Sequence, residues 1–362
     1  MKALITTNSL YSRVASLTLG KNLTATRAQW KEISVPEISD NEILVKVHAV
    51  ALNATDYKHI DAISPPNCIV GCDYAGEVSK VGKGVATLWK VGDRVAGAVH
   101  GGLYADRGSF AEFLKIDGDL AWKVPDTINN AAATTYGVSA VTAVLALCGR
   151  LGFPHIETLL EPNDKDKKEA QTIFVYAGST SAGLSTIQLA KAFGCKVVAT
   201  ASPHSFDLVK SYGADAVFNY RDANVGAEIS NLFPNIKIAV DCFSEGKSTK
   251  ICDTVIGKNG GQVITLLPSS KSTTPAIKHE LIMAYTLFGH EFQWLPPIGP
   301  KFPAKPSDRD LLVRFYAALP RLTNLLKPLP ITREIGGIDA ILPGLQKLRE
   351  QKVSGSKLVI EL

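Results

Sequence analysis

Apolar and polar positions alternate most regularly in residues 171–221, where the pattern predicts strand, helix, strand, helix and strand in succession. Residues 173–177 form a short apolar run rich in β-favouring types, and a turn of small residues follows. The next helix repeats small and apolar residues at steps of four, three and four, at Gly183, Ile187, Ala190 and Gly194. Residues 196–200 give a second buried strand, so the stretch predicts the parallel crossover of a doubly wound α/β fold.

The turn at residues 178–181 is a candidate phosphate site. The N–H groups that open a helix have no partner within it, and together with the helix dipole they favour an anion such as a pyrophosphate. The G-x-G-x-x-G pattern of dinucleotide-binding turns is degraded, because only Gly178 and Gly183 are glycines. The unit and its turn favour nucleotide or flavin binding, and a plain α/β packing element is the alternative.

The choice of nucleotide depends on the end of the second strand, about twenty residues after the turn, where NAD-binding units carry an Asp or Glu for the ribose 2′-hydroxyl. Residues 199–205 contain no carboxylate. Side chains that suit a 2′-phosphate, or can reach it from the same unit, are Ser202, His204, Ser205, Lys210 and Tyr220. The pattern predicts NADPH rather than NADH; alternatively, Ser202 and Ser205 only cap a helix at 206–212.

The rest of the chain divides around this unit. Residues 1–125 are β-rich and punctuated by glycine, and they predict a compact β-barrel-like domain with strands at 42–51, 76–81 and 94–99. A helix is predicted at 131–147, and the charged run 163–169 is predicted to be a solvated loop. Further buried strands are expected at 236–242 and 262–267, and a helix at 308–326 precedes a final segment that returns to the first domain.

Length and composition fit a two-domain enzyme. The chain has 362 residues, 46 % hydrophobic and 20 % charged, with a net charge of +5 that is spread along the sequence. Without a dense Lys/Arg block, nucleic acid is not an expected partner. The N-terminus has no signal-peptide pattern, and six scattered cysteines suit a reducing compartment, so we expect a cytoplasmic protein with no membrane association.

Five short motifs carry a resemblance that covers the whole chain. The strings NATDYK at 53–58, GCDYAGEV at 71–78 and VGDRV at 91–95 resemble the GroES-like domain of the medium-chain dehydrogenase/reductase superfamily. Within it, SPHSFDL at 202–208 and SGSKLV at 354–359 resemble the zinc-independent, quinone oxidoreductase-like branch, closest to fungal trans-acting enoyl reductases of polyketide synthases. The resemblance implies a GroES-like catalytic domain at 1–135 and 296–362 and a Rossmann cofactor domain at 136–295.

The resemblance also bears on metal. Zinc alcohol dehydrogenases of this superfamily polarise a carbonyl with Zn²⁺. Their first ligand is a cysteine where this chain has Asn53, and their Gly-His-Glu corresponds to Gly71-Cys72-Asp73. The ligand set is broken and the four-cysteine structural zinc loop is missing from the sequence, so no metal is expected.

Without metal, the expected chemistry is hydride transfer to the β-carbon of an enoyl thioester or enone, followed by protonation of the α-carbon. By resemblance, Lys58 lies beside the nicotinamide and ribose, where it can bind the cofactor or polarise the substrate; a surface lysine at a helix is the alternative. Thr55 and Asp56 are expected to be structural or to contact the cofactor, and the role of Tyr57 is open.

The same resemblance assigns the remaining site residues. Expected cofactor contacts are Ser179, Thr180, Ser181 and Ala182 at the pyrophosphate, Leu266 and Leu267 at the nicotinamide end, and Gly355 and Ser356 closing over the cofactor. The expected substrate-lining residues are Ala140, Val141, Val144, Ala284, Tyr285, Thr286, Leu287 and Phe288. Since residues 284–288 are mostly apolar, a core strand at the sheet edge is almost as good an interpretation of them.

Three functions follow from the sequence. The first is an NADPH-dependent enoyl reductase acting on a carrier-tethered acyl chain, with a polyketide synthase as partner and a monomeric or homodimeric state. The second is a free-standing reductase of aldehydes, enones or quinones with the same cofactor site. The third is a non-catalytic NADPH-binding protein of the same fold.

Overall fold

The computed structural model describes residues 1–19, 27–161, 171–269 and 271–362. The charged run predicted as a loop at 163–169 lies outside the described residues. The chain divides into two compact units. The first comprises Met1–Val138, Tyr285–Pro320 and Pro330–Leu362, and the second comprises Ser139–Ala284 and Arg321–Leu329.

The strands of the described chain fall into four sheets. In chain order they are β1 (Lys2–Thr6), β2 (Ala28–Glu32), β3 (Glu42–Ala51), β4 (Asp73–Val81), β5 (Arg94–Ala98), β6 (Phe113–Asp117), β7 (Trp122–Lys123), β8 (Thr172–Tyr176), β9 (Lys196–Ala201), β10 (Ala216–Asn219), β11 (Ile238–Asp241), β12 (Gly261–Thr265), β13 (Ile277–Leu281), β14 (Phe292–Gln293), β15 (Lys301–Phe302), β16 (Ile331–Glu334) and β17 (Lys357–Glu361).

The α-helices connect and cover these sheets. They are α1 (Leu10–Leu19), α2 (Ala54–Lys58), α3 (Asn130–Ala133), α4 (Val138–Arg150), α5 (Ser181–Ala192), α6 (Phe206–Ser211), α7 (Val225–Leu232), α8 (Ser248–Ile256), α9 (Pro306–Leu322) and α10 (Ile341–Arg349).

The first unit is built on a sheet in the order β16-β17-β3-β4-β5-β7. Strand β6 pairs with the first half of β3, residues Glu42–Lys46. The pairs β17–β3, β3–β4 and β4–β5 are antiparallel. Two register shifts interrupt the long β3–β4 ladder, as β-bulges do. The C-terminal strand β17 joins β3 through the register Val359↔Ala51. The end of the chain therefore lies beside the start of α2, the helix that carries Thr55 and Lys58.

The second unit contains a fully parallel sheet in the order β10-β9-β8-β11-β12-β13. Numbered within the unit, this order is 3-2-1-4-5-6, the order of dinucleotide-binding doubly wound folds. Phe174, Val198 and Val263 are completely buried in its core, together with apolar residues of α7 and α8. Ligands in such sheets bind where the strand order reverses, outside the carboxyl ends of the strands, and here that point lies between β8 and β11.

The helix predicted at 131–147 is interrupted. α3 ends at Ala133, a 3₁₀ turn follows, and α4 begins only after Gly137, whose ψ of −128° is outside the helical range. Asp73 Oδ1 accepts a hydrogen bond from Val138 N at 2.7 Å, and a Cβ on Gly137 would lie 2.2 Å from the same oxygen. The carboxylate of β4 therefore occupies the space that a continuous helix with side chains would need.

Residues Asn130–Arg150 are long and apolar enough to cross a membrane by length and composition, but 78 % of the most apolar window is buried inside the protein. The high apolar content of the segment is accounted for by its packing within the protein, as in a core helix.

Candidate active site

The turn between β8 and α5 has the geometry of a phosphate-binding helix start. Thr180 caps α5, since its Oγ1 accepts a hydrogen bond from Gly183 N at 3.0 Å and donates to Ala177 O at 2.8 Å. A Cβ on Gly183 would lie 2.4 Å from the Ala177 carbonyl oxygen, so glycine permits this close approach. Ser181 and Ala182 are the first residues of the helix, where N–H groups lack intrahelical partners.

Arg221 lies at the end of β10, and the sequence prediction missed it. Its Nη1 donates a hydrogen bond to Ser202 Oγ at 3.3 Å, and its guanidinium lies 4.7 Å from the ring centroid of Tyr220. The predicted candidate Ser202 thus stands beside a permanent positive charge at the carboxyl ends of β9 and β10. The available signal was the position of Arg221 directly after Tyr220, because an arginine at this edge commonly accommodates a 2′-phosphate.

The other predicted ribose-end residues are more dispersed. Ser202 and Ser205 stand at the N-caps of the 3₁₀ turn Pro203–Ser205 and of α6, but neither caps through a side-chain hydrogen bond. The capping alternative is thus not supported at the level of their hydroxyls. Ser205 is buried, whereas His204 and Lys210 are exposed.

A buried carboxylate organises the loops after β11 and β12. Asp241 accepts hydrogen bonds from the N–H groups of Phe243 and Ser244, at 3.1 and 2.8 Å. Its other carboxylate oxygen, Oδ2, is bonded to the hydroxyls of Ser248 and Thr249. Ser244 Oγ in turn accepts a hydrogen bond from Leu266 N at 2.8 Å. The predicted nicotinamide-end residues Leu266 and Leu267 are partly exposed beside this network.

The helix α4 carries three residues that were predicted to line the substrate. Val141 and Val144 are each only 2 % exposed, and Ala140 is partly exposed. In this structure the two valines belong to the hydrophobic core, so Ala140 is the member of the set that solvent reaches.

In the first unit, α2 is held from three sides. Asn53 precedes the helix, its N–H donates to Asp56 Oδ2 at 2.7 Å, and its side-chain Nδ2 donates to Asp73 Oδ2 at 3.0 Å. Lys357 on β17 donates to Asn53 Oδ1 and lies 2.8 Å from Asp73 Oδ2. Burial, with the negative charge of Asp73 adding to it, raises the pKa of Asp56 to about 7. Asp56 is therefore a buried structural carboxylate of this helix.

Tyr285 connects the segment Ala284–Phe288 to α2. Its Oη lies 2.6 Å from Thr55 Oγ1 and 3.0 Å from His59 Nε2. The segment is a 3₁₀ turn, so the alternative of a core strand is wrong. Thr286 donates a hydrogen bond to Asp308 of α9, and Leu287 is fully buried. Of the predicted substrate residues here, Tyr285 and Phe288 line a cavity in this unit.

The cavity is small, about 20 Å³, which is room for about one water molecule, and it opens to solvent. Aromatic and aliphatic side chains form most of its wall, and Arg107, Asp117 and His290 add charged or polar groups. The imidazole of His100 stacks on the Tyr285 ring at a centroid distance of 3.8 Å and an interplanar angle of 7°. Such a predominantly apolar pocket with a few polar groups is typical of a small-molecule site.

The remaining predicted residues of the first unit lie around α2 and β17. Lys58 is the last residue of α2 and is partly exposed. The Tyr57 ring lies 5.2 Å from the Arg349 guanidinium, which is also paired with Asp61. Gly355 has a φ of +68°, and Ser356 Oγ lies 2.7 Å from Thr332 Oγ1. None of these contacts assigns a ligand, so the individual site roles stay predictions.

Comparison with known proteins decides the family. Residues 39–126 match the family described as alcohol dehydrogenase GroES-like domain, and residues 182–293 match the zinc-binding dehydrogenase family. The chain is 38 % identical over 340 residues to the trans-enoyl reductase ACTTS2 of Alternaria alternata, covering 92 % of this chain and 95 % of that protein. The chain belongs to the trans-enoyl reductase family.

A second relative agrees with this membership, and a solved structure agrees with the fold. The trans-enoyl reductase TOXD of Cochliobolus carbonum is 40 % identical over 261 residues, which cover 71 % of this chain and 85 % of that protein. The crystal structure of Escherichia coli quinone oxidoreductase complexed with NADPH superposes with a TM-score of 0.71 at 16 % identity, covering 100 % of both chains. The predicted superfamily, branch, two-part fold class and oxidoreductase class are confirmed.

The residues at the superfamily's zinc position in this trans-enoyl reductase do not fit a metal ion. Both Asp73 oxygens are already bonded to nitrogen donors, and the Lys357 ammonium supplies a positive charge beside them. Burial, together with the negative charges of Asp56 and Asp73, raises the pKa of the Cys72 thiol well above its ordinary value, which disfavours the thiolate that zinc requires. Across the described residues, no group of three or more His, Cys, Asp or Glu side chains is arranged to hold a metal.

Proposed function

We propose that this enzyme is an NADPH-dependent enoyl reductase that adds hydride to the β-carbon of an α,β-unsaturated acyl thioester presented in trans. The observation that carries the proposal is the similarity to a trans-enoyl reductase along 92 % of the chain. A turn suited to phosphate and a basic ribose end in the second unit support the choice of cofactor.

The second unit offers the groups that would hold NADPH. Ser181 and Ala182 would bind the pyrophosphate through their N–H groups, and Arg221 with Ser202 would bind the 2′-phosphate. Leu266, held by Ser244, would contact the nicotinamide end. When bound, NADPH supplies the hydride, and the protein supplies position, charge and a water-poor environment.

The first unit would hold the acyl chain. The cavity walled by Val99, Ile116, Leu120, Phe288 and Phe292 is mostly apolar, and it would widen to accept a hydrocarbon chain. Lys58 would place an ammonium against the thioester oxygen as negative charge develops there, or would anchor a cofactor hydroxyl. Thr55 is the partly exposed hydroxyl of the same helix and would lie at the reacting end of the substrate.

A free-standing reductase of quinones, enones or aldehydes is the second candidate. The observation that favours it is the full-length fold similarity to quinone oxidoreductase. The apolar wall with His100 stacked on Tyr285 would also suit a planar ring once the cavity widens. The two candidates share the cofactor and differ in whether a pantetheine thioester is needed.

We further propose that the enzyme works in the cytoplasm on acyl chains carried by a polyketide synthase. The curated relatives are named as reductases that act in trans, which supports a carrier-bound substrate.

The test measures NADPH consumption with crotonyl-pantetheine, an unconjugated aldehyde and a benzoquinone side by side. The proposal predicts the highest kcat/KM for the thioester, formation of the saturated acyl product, and rates unchanged after dialysis against a chelator. Turnover of the quinone or aldehyde alone would support the second candidate, and stoichiometric zinc in the purified protein would contradict the metal-free mechanism.

A further inference from the structure

The hydroxyl of Tyr285 is the centre of a hydrogen-bonded chain with a role beyond lining a pocket. Thr55 Oγ1 lies 2.6 Å from Tyr285 Oη, His59 Nε2 lies 3.0 Å from it, and His59 Nδ1 lies 2.9 Å from Ser64 Oγ. The chain runs from a partly exposed hydroxyl on α2 to a serine that is completely buried. Each member can both donate and accept a hydrogen bond, which is the requirement for passing a proton.

The surroundings keep every member of this chain in its neutral form. Burial lowers the pKa of His59 to about 4, so the imidazole carries one ring proton at physiological pH. Burial raises the pKa of Tyr285 well above its ordinary value, so the phenol remains protonated. The relay uses the His59 tautomer with its proton on Nε2, in which Ser64 Oγ donates to Nδ1 and the Nε2–H points at Tyr285 Oη; the two distances fit this arrangement.

Reduction of an enoyl thioester leaves a proton to be supplied. After hydride reaches the β-carbon, the α-carbon and the thioester oxygen share the negative charge of an enolate. Resting on the proposed function, we propose that Tyr285 supplies the proton for the α-carbon, passed through Thr55 and with His59 holding the phenolate that remains.

The step balances without a further reactant. The Thr55 O–H bond breaks as the α-carbon–hydrogen bond forms, and the Tyr285 O–H bond breaks as the Thr55 O–H bond is restored. The enolate becomes the saturated thioester and Tyr285 becomes a phenolate, because the enolate is the stronger base. The phenolate accepts hydrogen bonds from Thr55 and from His59 Nε2–H until water returns a proton along the same path.

The stacked His100 holds the Tyr285 ring in one orientation, and Tyr285 Oη holds the Thr55 hydroxyl at 2.6 Å, so the group that protonates the α-carbon has a fixed position. A fixed donor delivers the proton to one face of the planar enolate, whereas bulk water does not discriminate between faces. The proposal therefore predicts that reduction in heavy water places deuterium on one face of the α-carbon.

The experiment compares the wild type with Tyr285→Phe and Thr55→Val, using crotonyl-pantetheine and NADPH in heavy water. Tyr316→Phe is the matched control, because Tyr316 is another fully buried phenol of the same unit, whose Oη accepts a hydrogen bond from Ala98 N. The measured quantities are kcat, the face of α-deuteration by NMR, and the NADPH dissociation constant from fluorescence.

The proposal predicts that the two relay variants lose about tenfold to a hundredfold in kcat, keep their NADPH affinity, and give deuterium on both faces. Tyr316→Phe keeps both kcat and single-face labelling. Single-face labelling with an unchanged kcat in Tyr285→Phe, or in Thr55→Val if the first variant does not fold, would overturn the relay. A wild type that reduces no enoyl thioester would instead refute the proposed function.

Discussion

Lys357 Nζ lies 2.8 Å from Asp73 Oδ2, and the two side chains are only 2 % and 0 % exposed to solvent. Lys357 belongs to the last strand and Asp73 begins β4, so the pair ties the C-terminus to the sheet that carries α2. Asn53 bonds to both partners at the start of that helix. The ammonium thus neutralises a buried carboxylate and holds the start of α2 against the C-terminal strand.

We predict that Lys357→Met destabilises the protein by about 3–5 kcal/mol, since it leaves the Asp73 carboxylate buried without its cation. Methionine has a similar length and adds no cavity. The quantity to measure is the free energy of unfolding in urea.

The matched control is the double variant Lys357→Met with Asp73→Asn, which removes both charges. It should recover most of the loss, because no unpaired charge then remains in the interior. A loss below about 1 kcal/mol in the single variant would mean that the pair contributes little.

The Rossmann unit was predictable because its information is local. Residues 173–177 and 196–200 were predicted as buried strands from short apolar runs, and the structure has strands at Thr172–Tyr176 and Lys196–Ala201. The break at Gly137 was not predictable in this way, since its cause is the carboxylate of Asp73, which comes from a distant strand.

The candidate site also combines features that local sequence predicts with features that depend on distant residues. The candidate phosphate turn and Ser202 were predicted because they follow strands at known offsets. The contacts of Tyr285 with Thr55 and of Lys357 with Asp73 join residues far apart in the chain. Hydrophobic periodicity is a local pattern and does not predict such pairs. Arg221 was within reach of sequence reasoning but was not selected.

Asp56 gives a prediction about pH. Its pKa is about 7 in the folded protein against an ordinary value of 3.8, because burial opposes the charge. As pH rises from 4 to 7, the unfolded chain loses this proton before the folded chain does. The free energy of unfolding therefore falls by about 4 kcal/mol over this range and stays constant above pH 7 as far as Asp56 is concerned.

The variant Asp56→Asn does not titrate there, so its stability relative to the wild type should rise by about that amount between pH 4 and pH 8. His59 and His100, whose pKa values are lowered by burial, contribute in both proteins and cancel in the difference. Urea unfolding at four or five pH values measures the difference in the free energy of unfolding between the variant and the wild type. A difference independent of pH would show that Asp56 ionises normally.

For the cofactor, Arg221→Ala should weaken NADPH binding roughly tenfold or more while leaving NADH nearly unchanged, because a charge-assisted bond to the 2′-phosphate of about 1.5–3 kcal/mol is lost. Ser202→Asp should have a similar effect through charge repulsion. Fluorescence titration measures both, with the exposed Arg314→Ala as control. Equal affinity of the wild type for NADH and NADPH would refute this assignment.

Lys58→Ala should lower turnover more than stability. The ammonium can stabilise a developing negative charge by a few kcal/mol in a water-poor site. If Lys58 meets the developing enolate, kcat falls and NADPH affinity is kept; if it anchors the cofactor, NADPH affinity falls first. Lys83→Ala, at an exposed position, is the control. Normal kcat, KM and NADPH affinity in Lys58→Ala would identify Lys58 as a surface lysine.

The central claim is hydride transfer to the β-carbon of an acyl thioester, and isotope placement tests it most directly. The enzyme would reduce crotonyl-pantetheine with NADPH that carries deuterium at C4 of the nicotinamide, and NMR would locate the label in the product. The account predicts butyryl-pantetheine with deuterium on the β-carbon. Deuterium on the carbonyl carbon of an aldehyde or alcohol product, or an unreacted thioester under conditions where a quinone is reduced, would contradict it.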